Sequence, residues 1–88
     1  MKVHLVKCHP EPFQSILDGY KTSEIRKNDR DYSVGDVLVV DEYDPITGEY
    51  TGRRSNHLIS HIQEGFGLKK SYVVLSILPT VISPPSIF

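Results

Sequence analysis

Lys21, Thr22, Glu24 and Arg26 bring an ammonium, a hydroxyl, a carboxylate and a guanidinium into one short stretch. A carboxylate accepts from the exocyclic amine of a base, and the two cations attract phosphate or a carbonyl oxygen. The stretch is Gly19-Tyr20-Lys21-Thr22-Ser23-Glu24-Ile25-Arg26-Lys27, and it comes after Phe13-Gln14-Ser15-Ile16-Leu17-Asp18. The glycine reads as a helix stop, and the residues beyond it read as a strand. Alternation then puts Thr22, Glu24 and Arg26 on one face with Lys21 at its mouth, and it turns Ile25 into a core. Lys27 and His9 complete the candidate ligand-binding set. A bland reading stands beside this one. Glu24 and Arg26 lie about 6.6 Å apart along a strand. They could pair and simply seal a barrel mouth, contributing about 0–1 kcal/mol.

Several elements must position these groups. Val3 to Cys8 is a β-branched, apolar-rich strand. His9-Pro10-Glu11-Pro12 opens a helix over residues 10–18, since proline is tolerated in the first turn and Glu11 suits the positive end of the dipole. Phe13, Ile16 and Leu17 form its buried stripe. Strands are expected near residues 2–8, 22–28, 37–44, 50–63 and 71–78, and Val37-Leu38-Val39-Val40 reads as buried on both faces. Asp44-Pro45-Ile46-Thr47-Gly48 is a hairpin turn. Close-spaced strands with one early helix predict an α+β, mostly β domain, a small barrel with a helical plug. The domain covers residues 1–78. Residues 79–88 carry Pro79, Pro84 and Pro85 and read as an extended tail.

Composition narrows the function classes. The chain has 88 residues, a net charge of -1 and 24% charged residues, which excludes a general nucleic-acid coating protein and leaves room for a local patch. Cys8 is the lone cysteine, so no intrachain disulfide forms, and a cytoplasmic setting is the simplest expectation. The sequence holds no apolar run of the roughly 20 residues a bilayer span needs, and no membrane partner is expected. His57 and His61 sit about 13 Å apart on one face if they lie on a strand, too far to share an ion, and no metal or cofactor is expected. Cys8 reads as a small buried residue, and His9 as a helix cap or a border of the cleft. Arg53-Arg54 and Lys69-Lys70 are either solvated surface or, with Lys21, Arg26, Lys27 and Arg30, a basic rim. Tyr20, Tyr32 or Tyr50 could stack on bases beside such a rim, while Tyr43 and Tyr72 read as barrel wall.

The order of helix, G-x-K-T-x-E-x-R, polar turn, V-G-D and apolar strand is similar to the ASCH domain, a branch of the PUA-like superfamily. The run Glu24 to Arg30, with Val34-Gly35-Asp36, Tyr43-Asp44-Pro45, Thr47 to Gly52, Gly67-Leu68-Lys69 and Tyr72 to Leu75, resembles the small bacterial and phage subfamily DUF3850. The resemblance covers residues 2 to 78. It implies a PUA-like β-barrel of five or six strands with a cleft beside the first helix, of a kind associated with RNA or modified-nucleotide recognition. Some ASCH relatives are amidohydrolases that deacetylate an acetylated cytidine nucleoside with a lysine, a threonine and a glutamate from a helical insertion. Lys21 matches the lysine. Glu24 stands at the threonine position, and residues 62–72 leave no room for the insertion.

The leading expectation is therefore a non-catalytic module binding RNA or a nucleotide-like ligand. A small amidohydrolase on acylated nucleosides, leaning on Lys21 and Glu24 as an acid–base pair, is the alternative. A protein-interaction module using Val81-Ile82 and Ile87-Phe88 is the third. The charge balance makes a measurable statement about the first. With Lys21, Arg26 and one or two further basic pairs engaged, log affinity for single-stranded RNA should fall against log salt with a slope on the order of −2 to −3. Titrations of short RNAs across salt concentrations measure it, and a much steeper slope would demand a far larger basic surface.

Overall fold

Val37-Leu38-Val39-Val40 has no polar face, so a strand built from it must be covered on both sides. A computed structural model, describing residues 1–80, shows all four side chains fully buried. The elements in chain order are β1 (Val3–Cys8), α1 (Pro10–Leu17), β2 (Ser23–Lys27), β3 (Val37–Asp44), β4 (Glu49–Gln63) and β5 (Tyr72–Pro79). They form one sheet in the order β1-β3-β4-β5-β2, with β1 parallel to β3 and the other neighbours antiparallel. Val6, Cys8, Leu38, Val40, Ile59, Val73, Leu75 and Ile77 line the core, and Phe13 and Ile16 of α1 pack onto it.

The helix is short and is ended by its own backbone. Gly19 has φ 81°, its N–H bonds to the carbonyl of Ile16 at 3.1 Å, and the Tyr20 N–H reaches Ser15 at 3.0 Å. This paired C-terminal motif makes Asp18 the cap and Leu17 the last helical residue, one earlier than the sequence suggests. Arg53 of β4 then holds the helix. Its guanidinium donates to Gln14 Oε1 at 3.2 Å and lies 5.0 Å from the Phe13 ring centroid.

Three further expectations are corrected. The sheet is a curled half-barrel, not a closed barrel with a plug. β1 and β2 are its edges, and β2 is only five residues long with all of them paired to β5. Side chains close the gap instead. Arg26 donates to the Lys7 carbonyl at 2.7 Å and Arg30 to the Leu5 carbonyl at 2.5 Å. Second, Ile25 is 61% exposed whereas Glu24 is 5% exposed. Glu24 and Arg26 pair with Leu75 and Val73, which face the core, so it is the charged face of β2 that turns inward. Third, His57 and His61 do not share a face. The register shifts between Ile59 and His61, leaving His57 buried and His61 exposed.

Tyr32 is also buried, packed edge-on against His4 with centroids 4.7 Å apart, so it offers no platform for a base. Tyr72 is surface, not wall. Pro79 still belongs to β5, opposite His57, beyond the stretch of β5 that β2 covers. Thr80 follows, its N–H bonded to the Asn56 carbonyl at 3.3 Å, and residues 81–88, with the apolar pairs, lie outside the described residues. Among the described residues no helix is long and apolar enough to cross a membrane.

Asp36 ties the start of the chain to the entry of β3. Its buried carboxylate accepts from the Lys2 N–H at 3.0 Å, the Ser33 N–H at 3.0 Å and His4 Nε2 at 2.9 Å. Burial alone would raise the carboxyl, but the bonds from His4, Lys2 and Ser33 outweigh it and hold it below its ordinary 3.8. A lowered folded pKa means stabilisation that is present above the unfolded value and lost as pH falls through the folded one. Asp36→Asn should therefore cost about 2–3 kcal/mol near neutral pH. It should also flatten the loss of melting temperature between about pH 5 and pH 2. Thermal melts of both proteins across that range check it, and parallel curves would refute the assignment.

Candidate functional site: a charged cluster on the concave side of the half-barrel

The turn that ends α1 delivers Lys21 to the site. The Lys21 N–H bonds to the Ser15 carbonyl at 3.1 Å, so the residue leaves the helix in a fixed direction. Its Nζ donates to the Ser23 carbonyl and lies 3.0 Å from Glu24 Oε1. On the other side, Arg26 donates through Nε to Glu24 Oε2 at 3.1 Å, with its Nη2 3.0 Å from the same oxygen. The Glu24 side chain is 7% exposed, against 31% for Lys21 and 25% for Arg26. A buried carboxylate thus sits between two cations that reach solvent. Oε2 is saturated, while Oε1 keeps a lone-pair position for another donor.

Two buried groups share this interior. Burial pushes the Cys8 thiol up to about 11; Glu24 adds to that, and Arg26 and Lys21 oppose it. His57 is pushed down from its ordinary value by burial, with Glu24 working against the shift. Its Nε2 pairs with Ser55 Oγ at 2.8 Å, and its buried Nδ1 has no partner. The imidazole is neutral near pH 7, so Nδ1 can accept or, in the other tautomer, donate.

A second carboxylate holds the far side of the concave face. Glu42 accepts from Arg53 Nε and Nη2, both at 2.9 Å, and from Thr51 Oγ1 at 2.6 Å. The Arg53 and Thr51 bonds bring its carboxyl down to about 2. Arg53 is raised above its ordinary value by the same Glu42 bond. Arg54 pairs with Asp41 at 3.1 Å, so the two adjacent arginines do not act as one patch.

Of the six sequence-derived ligand residues, the structure gathers Lys21, Glu24 and Arg26. Lys27 points to the opposite face of β2, where it pairs with Tyr72, and Thr22 and His9 are exposed. His9 occupies the helix N-cap position without a side-chain cap bond. Arg53 and Arg30, read in the sequence as members of a possible basic rim, are tied up in internal bonds here, and Glu42 and the orphan nitrogen of His57 join this region without having been marked. Parity could have found Glu42, which continues the Leu38, Val40 face, and His57, which sits opposite Leu38. Among the described residues no group of three or more His, Cys, Asp or Glu is placed to hold a metal ion.

Comparison with known proteins adds a family. An uncharacterized 12.9 kDa protein in the GpA 3' region of Escherichia phage P2 is 36% identical over 74 residues, which cover 84% of this chain and 66% of the phage protein. The chain spans just under two thirds of that relative's length. The family profile of DUF3850, a domain of unknown function, matches residues 3–77, from the first residue of β1 almost to the end of β5. This chain belongs to the DUF3850 family.

Proposed function

We propose that this chain is a PUA-like module of the ASCH branch that binds RNA or a nucleotide at the Lys21–Glu24–Arg26 cluster. The observation that carries the reading is the buried Glu24 carboxylate held between two part-exposed cations. Taking such charges out of water costs several kcal/mol per ion, and well-packed apolar residues often serve stability as well. Recognition gives the cluster a purpose that sealing does not. Glu24 Oε1 accepts from a base N–H, and Lys21 and Arg26 hold a phosphate or carbonyl oxygen. His57 Nδ1, buried on the same concave face, has no partner, and an orphaned buried polar atom is a recurrent mark of functional regions. A half-barrel with one helix after its first strand supports the ASCH reading.

The amidohydrolase alternative has less behind it. The Cys8 thiol stays protonated at neutral pH and is a poor nucleophile. Glu24 stands where the catalytic threonine of those relatives would be, and residues 64–71 contain turns rather than an inserted helix. Purified protein should release no acetate from an acetylated cytidine above background. Turnover abolished by Lys21→Ala would establish the enzyme instead.

Binding itself is tested by separating recognition from sealing. Lys21 is not part of the Arg26–Lys7 closure and Glu24 keeps Arg26 as a partner, so Lys21→Ala should cost about 1–3 kcal/mol and leave the domain folded. It should weaken binding of nucleoside monophosphates roughly 10- to 100-fold, the worth of one charge-assisted bond. Glu24→Gln should remove preference for bases bearing an exocyclic amine over uridine. Calorimetric titrations with the four monophosphates measure both effects. Unchanged affinities in both variants would mean that the cluster only closes the sheet.

A further inference from the structure

The outer face of β2 and β5 carries a second concavity. It is an open groove of about 300 Å³ lined by Ile25, Gly67, Leu68, Lys69 and Tyr72. Alternation puts it on the side of β2 away from Glu24, and Lys27, paired with Tyr72, shares that side. The loop that forms its wall has an unusual backbone. Gly65, Phe66 and Gly67 have φ of 75°, 53° and 90°, and Ser71 closes the loop at φ 72°. Bulky residues rarely adopt this conformation, and when they do the strain is often tied to function. Here it holds the Phe66 ring 91% exposed, next in the chain to a residue lining the groove.

We infer that this groove is a binding site for single-stranded nucleic acid, in which Tyr72 and Phe66 stack on bases and Lys27, Lys69 and Lys70 contact phosphates. Apart from Lys69 the lining is apolar and aromatic, as in sites that take a planar ring. The charge points the same way. Lys69 lines the groove, Lys70 follows it in the chain and Lys27 is the register partner of Tyr72, against Asp29 and Glu64 as the acidic residues nearest in sequence. An apolar peptide would draw nothing from three lysines, whereas stacking beside a basic rim is how unpaired strands are held. The inference rests on the reading of this module as a nucleic-acid binder, but it does not use the Lys21–Glu24–Arg26 cluster.

The test is fluorescence anisotropy with a labelled short oligouridylate, alongside calorimetry with free monophosphates. Phe66→Ala removes an exposed ring at a strained position and should leave the fold intact. It should weaken oligouridylate binding roughly 5- to 100-fold without altering the salt slope. Lys69→Ala with Lys70→Ala should make the slope shallower by about 1.4, near 0.7 for each lost phosphate contact. Neither should change monophosphate affinity. Unchanged oligouridylate affinity and slope in both variants would overturn the inference, as would duplex RNA binding as tightly as the single strand. Monophosphate binding without oligouridylate binding would defeat the groove and spare the cluster. Oligouridylate binding that depends on Phe66, with monophosphate binding absent, would support the groove and remove the cluster.

Discussion

Two guanidinium groups replace the backbone ladder that would complete a closed barrel. Arg26 and Arg30 reach from β2 and the segment after it to the Lys7 and Leu5 carbonyls of β1. Unpaired strand edges are a hazard for a sheet, and side-chain donors satisfy the β1 carbonyls here without a further strand. The closure also makes the candidate site. Arg26 divides its donors between Lys7 and Glu24, and Glu24 in turn holds Lys21, which is tied to the end of α1 through Ser15. Helix, both edge strands and the charged cluster are therefore one connected network. Removing Arg26 would disturb closure and cluster together, whereas Lys21 touches the cluster without bonding to β1.

The three best-connected carboxylates share a pattern. Asp36 gathers the N-terminal strand and the entry to β3, Glu24 the edge-to-edge gap, and Glu42 the contact of β4 with α1 through Arg53. Each is almost fully buried, and each sits where chain segments distant in sequence meet. A domain of this size buries a limited share of its surface, about 60–65%. The apolar side chains fill the middle, and bonded charges finish the margins. Such charges stabilise little when compared with apolar packing, but leaving one unpaired is costly, so they define a single arrangement.

The order and type of the elements were legible because local signals agreed. The apolar run Val37–Val40, the Asp44-Pro45 turn and the glycine after Asp18 each speak for one conformation. The grouping of Lys21, Glu24 and Arg26 came from alternation alone. Which side of β2 faces inward did not. Ile25 looks like the core residue by hydrophobicity, yet register with Val73 and Leu75 turns the carboxylate in. Pairings of that kind join residues far apart in the chain, and no local rule encodes them. The shared face of His57 and His61 failed for a related reason, since a bulge has no firm local mark. Closure by Arg30 was hidden because its partner is a backbone carbonyl, which every residue has.

The sheet order has a consequence for when the site can exist during synthesis. β2 is made early, but its ladder partner β5 is the last of the described strands. The β3–β4 hairpin closes over a short turn and loses little loop entropy, whereas the β2–β5 pairing must close a loop spanning both. Until β5 has left the ribosome, β2 has no strand to pair with. Glu24 then has no core face on which to be buried. A nascent or truncated chain lacking β5 therefore carries the residues of the charged cluster without the cluster, and the assembled Lys21–Glu24–Arg26 geometry marks completion of the fold.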